Sequence, residues 1–323
     1  MAVWRSALCT SSIVITVLGA DMVAGQKYPD KPIRMVTASP GGGPDFVARV
    51  LGPRLSANLG QPVVVDNRGG AGGIIAGETV AKATPDGYTL LFYGPAIWIV
   101  PFLRTNVPYD PVKDFAPITL AVSSPNILVV HPALPVQSVK ELIALAKARP
   151  GQLNYGAGNA GSSTHLAAEL FAAMAGVNIT NVPYKSTPGA INDLIAGELQ
   201  VMFPAAGAVV PHVKSGRLRA LAVTSPQPSA LAPGLPTVAA SGLPGYESQL
   251  IVGMFAPAKT PRTLVTRLNQ EVVRVLSQTD VKEQLLSVGV ETVGSSPEQL
   301  MAKVKGEMAR LGAIIERAGI REK

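Results

Sequence analysis

The amino-acid sequence predicts an α/β protein with two lobes, each built from a mostly parallel β-sheet flanked by helices. The length supports this, because 323 residues are enough for about two domains of ~150 residues. Short β-branched runs also alternate with helical stretches, an order typical of βαβ units. Serine and proline at 123–125 and 225–226 interrupt the alternation, so we expect the chain to cross twice between the lobes and form a hinge there.

The first lobe is predicted to begin with a strand at 33–37, a helix at 44–59, a strand at 63–66, a helix at 74–83 and a strand at 88–93. The helix at 44–59 is recognised by apolar residues at helical spacing, which are Phe46, Val47, Val50, Leu51 and Leu55. The glycine-rich segment 67–73 is predicted to be a loop.

The second lobe repeats this order. Its predicted strands lie at 127–130, 153–157, 179–182, 201–203 and 218–223, and its helices at 139–148, 164–175 and 189–196. After an irregular proline-rich crossing at 225–236, the chain is predicted to form a strand at 251–256 and helices at 261–277, 281–288 and 297–318. The predicted domain I therefore comprises 26–124 and 226–323, and domain II comprises 125–225.

The first 25 residues have the pattern of a secretory signal peptide. A short positive region at 1–5 precedes an apolar run at 11–19 and small residues at 23–25, so we expect cleavage near Gly25. The alternative is an N-terminal core helix, which Asp21 and the small residues disfavour. The only cysteine is Cys9, inside this segment, and an exported chain without disulfides is typical of the bacterial periplasm.

The charge distribution disfavours nucleic acid as a partner. Lys and Arg number 28 against 21 Asp and Glu, which gives a net charge of +7. The basic residues are mostly isolated between apolar ones and never form the run of about five that marks a nucleic-acid patch. A basic surface would nevertheless favour the collection of small anions.

Two glycine-rich loops are the candidate ligand-binding segments, because each follows a predicted strand and opens a helix. Such turns direct free backbone N–H groups and the positive end of a helix dipole towards a ligand. Each loop alone could be an ordinary connector, but one in each lobe would enclose an anionic group between them. The first loop comprises Ser39, Pro40, Gly41, Gly42, Gly43, Pro44 and Asp45, and the second comprises Asn159, Ala160, Gly161, Ser162, Ser163, Thr164 and His165.

The sequence contains none of the catalytic patterns sought. The 3 histidines lack zinc-site spacing, and neither a P-loop nor a nucleophile elbow is present. His165 lies close to Ser162 and Ser163 and could suggest a nucleophile–base pair, but a position in the first helical turn fits capping or lining of a cleft better. We therefore predict no enzymatic activity, no metal and no cofactor. Lys185 could pair with a second carboxylate or be a surface lysine, and both alternatives stay open.

Nine segments carry a resemblance to a known family; they are 28–33, 39–43, 59–63, 65–73, 85–89, 109–115, 182–185, 218–225 and 255–258. In these stretches the chain resembles the Bug family, the TctC-like extracytoplasmic receptors of tripartite tricarboxylate transporters. The resemblance implies a monomeric periplasmic solute-binding protein of the Venus-flytrap, type II-like class, which binds a carboxylate and serves permease subunits of the TctA and TctB type. It also implies that the loops matching 39–45 and 159–165 hold the carboxylate. Tyr184 and Lys185 are further candidate ligand-binding residues, because they follow a predicted strand.

Three departures from the family pattern predict a less polar cleft. Pro44 stands where relatives usually have threonine, and Pro204 with Ala205 replaces a polar pair. The segment 94–99 is apolar where relatives are often rich in Ser, Thr or Asn. We therefore expect a mono- or dicarboxylic ligand with an apolar or aromatic remainder, and not a citrate-like acid. The alternative functions are a sensory receptor for a membrane kinase and, from another class, a hydrolase.

Overall fold

Two β-sheets organise the protein in the computed structural model, which describes residues 28–41, 43–157, 162–184 and 187–318. The predicted signal peptide, with Cys9 and the cleavage point near Gly25, lies outside the described residues. Within them the strands form one six-stranded and one five-stranded sheet. We call each sheet with its helices a lobe, lobe I being the one with the six-stranded sheet.

Lobe I begins with β1 (Ile33–Thr37), α1 (Gly43–Leu59), β2 (Val63–Asn67), α2 (Ile74–Ala81), β3 (Thr89–Tyr93), α3 (Ala96–Leu103) and β4 (Phe115–Pro125). Lobe II contains β5 (Ile127–Val130), α4 (Val139–Ala148), β6 (Asn154–Ala157), α5 (Ser163–Ala175), β7 (Thr180–Pro183), α6 (Thr187–Ala196), β8 (Val201–Met202), α7 (Ala206–Lys214) and β9 (Arg219–Val223). The chain then returns to lobe I with β10 (Gln249–Pro257), α8 (Arg262–Leu276), α9 (Thr279–Ser287), β11 (Glu291–Thr292) and α10 (Pro297–Ala318).

The two sheets share one strand pattern. Lobe I has the order β2-β1-β3-β10-β4-β11 and lobe II the order β7-β6-β8-β5-β9. In each, three neighbouring parallel strands are followed by an antiparallel one, β10 or β5, which is the first strand after a crossing from the other lobe. The predicted α/β class is confirmed, although both sheets are mixed.

Four elements were not predicted, namely α3, α7, β4 and the two-residue strand β11. Proline or uniform apolarity hides the first three. Helix α3 contains Pro101 and is buried at most positions, so its sequence has no polar face to mark a helical period. Helix α7 contains Pro211, and strand β4 contains Pro117. The predicted helix at 139–148 and strand at 33–37 coincide with the observed elements, since their patterns have no such interruption.

Helix α10 joins the lobes. It contacts α3 of lobe I and α5 of lobe II, and one apolar cluster runs from Trp98 through Leu311 to Leu166 and Phe171. The hydroxyl of Tyr246, in the segment before β10, donates a hydrogen bond to the carbonyl of Ala167 on α5 (2.9 Å). The lobes are thus in contact along α5, which places the start of that helix beside lobe I. No helix among the described residues is both long and apolar enough to span a bilayer.

Candidate ligand-binding site

A cavity of about 390 Å³ lies where the two lobes meet. Lobe I lines it with the starts of α1 and α3, the residues before β10 and one face of α10, and lobe II lines it with the start of α5. Much of the wall is apolar, formed by side chains such as Ile99, Val100, Leu103, Leu166 and Leu311. Its size and its apolar wall with few polar groups are typical of a small-molecule site.

Three helix N-termini reach this cavity. Pro44 belongs to the first turn of α1, Pro95 precedes α3, and Ser162 and Ser163 begin α5. The first N–H groups of a helix have no partner within it, and the aligned peptide dipoles add partial positive charge at that end. The arrangement therefore suits an anion such as a carboxylate.

Asp45 braces the loop before α1. Its side chain is buried, and it accepts hydrogen bonds from the Gly41 N–H (2.9 Å) and from Asn67 Nδ2 (2.7 Å). Arg49 Nε donates a third from 3.1 Å. Burial alone would raise the pKa of Asp45, but these donors together hold that pKa below its usual range. The carboxylate is thus used within lobe I and holds the glycine turn, in which Gly41 has φ +77°.

The glycine-rich segment 67–73 packs against this turn. A side chain at Gly69 would clash with Ser39, so the two backbones can approach only because residue 69 is a glycine. Ser39, Pro40, Gly41 and Gly43 are exposed on the loop, and Pro44 is the member that lines the cavity. Gly42 lies outside the described residues.

The polar side chains at the start of α5 lie in two different environments. Ser162 and Ser163 line the cavity, and the Ser162 hydroxyl caps the helix by accepting from the His165 N–H (3.3 Å). Thr164 and His165 are buried within the lobe. The His165 ring stacks on Tyr155, with centroids 6.4 Å apart. Its Nε2 lies 3.1 Å from Asn181 Nδ2, and burial lowers the pKa of the imidazole.

Of the other predicted residues that the structure describes, Tyr184, Pro204 and Ala205 do not border this cavity. Tyr184 donates a hydrogen bond to Asp193 (2.5 Å), and burial together with that carboxylate raises the pKa of the phenol to about 12. The carbonyl of Pro204 accepts from the Ile127 N–H (2.8 Å), and Ala205 forms a β-bridge with Asn126. Asn159, Ala160, Gly161 and Lys185 lie outside the described residues.

Sequence reasoning missed the wall formed by α10. Glu307 and Arg310 line the cavity together with Glu247, which precedes β10. One signal was present: Leu300, Val304, Glu307 and Leu311 follow helical spacing, so a glutamate occupies an apolar stripe. A charged residue at such a position is buried and needs a partner.

The α10 wall contains a cluster of charged side chains. Glu307 is 3% exposed and accepts a hydrogen bond from Trp98 Nε1 (2.9 Å). Burial raises its pKa, and Lys303, Trp98 and Arg310 oppose that rise only in part. Glu247 forms ion pairs with Lys303 and with Arg310, whose Nη1 is 3.4 Å away. Within the described part of the chain, no group of three or more His, Cys, Asp or Glu side chains could hold a metal ion.

Comparison with known proteins identifies the family to which this chain is similar. The family model described as "Tripartite tricarboxylate transporter family receptor" matches residues 47–320. Protein BugT of Bordetella pertussis is 35% identical over 320 residues, covering 98% of each chain. The solved structure described as "R. palustris Rpa4515 with adipate" is 38% identical, with a TM-score of 0.73, and covers 91% of this chain and 99% of its own. MatC (Rpa3494) from Rhodopseudomonas palustris with bound malate is 29% identical, with a TM-score of 0.70, and covers 89% and 100%.

These matches confirm the resemblance drawn from the sequence and the two-lobed binding-protein fold. The family model spans residues 47–320, and the adipate-bound structure covers 91% of the chain. The family is one of solute-binding receptors without enzymatic activity, and its characterised members are periplasmic. The chain belongs to the tripartite tricarboxylate transporter receptor family and is a Bug-type solute-binding protein.

Proposed function

We propose that this protein captures a small, partly apolar mono- or dicarboxylic acid between its lobes and delivers it to a membrane permease. The observation that carries the proposal is the meeting of three helix N-termini at one largely apolar cavity. The termini would hold the carboxylate, mainly through the loops 39–45 and 159–165, and the apolar wall would hold the rest of the ligand.

The lining favours this ligand class over a tricarboxylate. Pro44 contributes no N–H and no hydroxyl, and Gly94, Pro95 and Ala96 present only backbone and small apolar groups. A citrate-like acid would bring three charges into a wall with few polar groups, and desolvation of each charge is costly unless it is paired. The adipate and malate in the structures of relatives of 38% and 29% identity are both dicarboxylates, which agrees with the dicarboxylic member of this class.

Delivery requires export and closure of the two lobes. We propose that residues 1–25 are a signal peptide removed near Gly25, that the mature protein is a periplasmic monomer, and that 125–225 moves as one domain against 26–124 and 226–323. The partner would be a permease of the TctA and TctB type. N-terminal sequencing of protein recovered from the periplasm tests the export; an intact N-terminus in the cytoplasm would contradict it.

Ligand identity is tested by two measurements. Mass spectrometry of the small molecules released on denaturing freshly purified protein should find an organic acid. Calorimetric titration should then show binding of adipate or a benzoate-type acid, and weak or no binding of citrate. Tight binding of citrate with no response to the other acids would overturn the proposed ligand class.

A further inference from the structure

We propose that the α10 wall of the cavity is a second recognition site, in which the guanidinium of Arg310 binds the second carboxylate of a dicarboxylic acid. The inference rests on the proposed function, because it assumes that the cavity holds the ligand. It deepens that function by choosing dicarboxylic over monocarboxylic acids.

Arg310 lines the cavity and has hydrogen-bond donors that are not used within the described part of the protein. Its side chain is 26% exposed, and its described ion pair is the long contact from Nη1 to Glu247 (3.4 Å). The Nε atom is buried and has no hydrogen-bond partner. Because a guanidinium carries five N–H donors in a planar fork, Nε and a neighbouring Nη can together receive one carboxylate.

The acidic groups nearby are already engaged, which argues against an amine in this place. Glu247 is held by Lys303 and Arg310, and Gln249 Nε2 approaches it to 3.4 Å. Glu307 accepts from the Trp98 indole, and its burial favours the protonated form. Glu247 is occupied by two basic side chains, so an incoming amine would have to compete with Lys303 and Arg310 for it. A carboxylate would instead meet a guanidinium whose Nε has no hydrogen-bond partner among the described residues.

The apolar wall of the same cavity explains why one molecule would use both sites. Ile99, Val100 and Leu103 of α3 and Leu166 of α5 line the cavity together with the helix starts and with Arg310. A ligand that contacts all three kinds of surface has a carboxylate at each end and a hydrocarbon or aromatic spacer between them. Such a molecule pairs both charges and leaves its apolar part against apolar side chains.

Matched acids test the second site. Adipate is compared with hexanoate, and benzene-1,4-dicarboxylate with benzoate, by calorimetry on the purified protein. For the pair that binds, we expect the wild-type protein to hold the diacid at least about tenfold more tightly, which is the effect of one charge-assisted hydrogen-bonded pair. Arg310→Gln should weaken diacid binding by about 10- to 100-fold and leave monoacid binding within about twofold.

Two further variants separate recognition from folding. Lys305→Gln removes a cation from the exposed side of α10 and should leave both affinities unchanged. Arg310→Lys keeps the charge beside Glu247 but loses the planar fork, so the preference for the diacid should shrink without disappearing. Circular dichroism and thermal melting establish that each variant is folded, and Arg310→Lys carries the test if Arg310→Gln does not fold.

The outcomes distinguish this inference from the proposed function. If the wild-type protein binds both members of a pair equally, or if Arg310→Gln weakens both equally, Arg310 does not recognise a second carboxylate. A full diacid preference in Arg310→Lys would contradict the role of the fork. If neither the tested acids nor a co-purified acid binds the wild-type protein, the proposed function itself fails.

Discussion

Asp45 and Glu307 are two carboxylates near one cavity whose pKa values move in opposite directions. Each residue is only 3% exposed, but Asp45 lies close to the surface and Glu307 lies deep in the protein, so the two carboxylates differ in depth as well as in hydrogen-bond partners. Asp45 lies in the first turn of α1 and accepts from three donors, which lower its pKa in spite of burial. Glu307 lies within α10 and accepts from one indole N–H, so burial prevails and raises its pKa. Depth and the number of donors together set the direction of each pKa shift.

The largest loss of stability and binding should come from removing the Asp45 carboxylate. Asp45→Ala removes the acceptor of the Gly41 N–H and the ion-pair partner of Arg49. It leaves Asn67 Nδ2 with the Ala38 carbonyl as its acceptor. We expect a loss of about 2–4 kcal/mol in the free energy of unfolding, measured by chemical denaturation. Binding of adipate should weaken at least tenfold, about the effect of one misplaced charge-assisted contact.

Asp45→Asn is the matched control. It keeps one carbonyl acceptor and the shape of the side chain, and should lose less stability than alanine. Equal losses in the two variants would show that the negative charge, and not the set of hydrogen bonds, holds the loop.

A smaller effect is expected at the other helix start. Ser162→Ala removes the hydroxyl that caps α5 and that lies in the cavity. The free energy of unfolding should fall by about 1 kcal/mol, the usual contribution of an N-cap, and Ser162→Thr should keep most of it. A loss as large as that of Asp45→Ala would contradict the view that multiple donors make the first loop special.

Replacing Glu307 should change the free energy of unfolding in the opposite direction to replacing Asp45. Its raised pKa means that the folded state penalises the ionised form, so stability should fall as pH rises from the ordinary pKa of a glutamate towards the raised value. Glu307→Gln removes the ionisation and can still accept from Trp98. Thermal melting at pH 8 should therefore find it equally stable or up to about 1 kcal/mol more stable than wild type. A clear loss of stability at pH 8 would mean that Glu307 is a favourable anion in the folded protein.

The smallest effect is expected in how the free energy of unfolding falls at acidic pH. Because the folded state lowers the pKa of Asp45, its contribution is complete above the ordinary pKa of an aspartate and is lost as pH falls through the lowered value. Asp45→Asn should therefore flatten the profile below about pH 4 while leaving the slope from Glu307 unchanged. An unchanged fall at acidic pH would show that other carboxylates dominate it.

Much of the fold was predictable because its signals are local. Strand β1 and helix α4 coincide with the predicted segments, since hydrophobic period and capping residues are read within a few turns of chain. Helices α3 and α7 were missed because each is short, at 8 and 9 residues, and contains a proline. The 17-residue α1 was predicted in spite of Pro53, because its apolar stripe is longer. Helix propensity predicts a loss of stability at Pro101 and Pro211, but the sequence pattern does not show the tertiary packing that compensates for this loss.

By itself the sequence determined the two helix starts, because a strand, a glycine turn and a capping residue lie within a few positions of one another. It also showed the family, through segments spread along the chain. Only the tertiary structure decided which groups share the cavity. Trp98 and Glu307 are 209 positions apart, and Glu247 and Arg310 are 63 apart. The physical reason is that desolvation and donor count belong to the surroundings of a side chain, so one sequence makes Asp45 a brace and Glu307 part of a recognition wall.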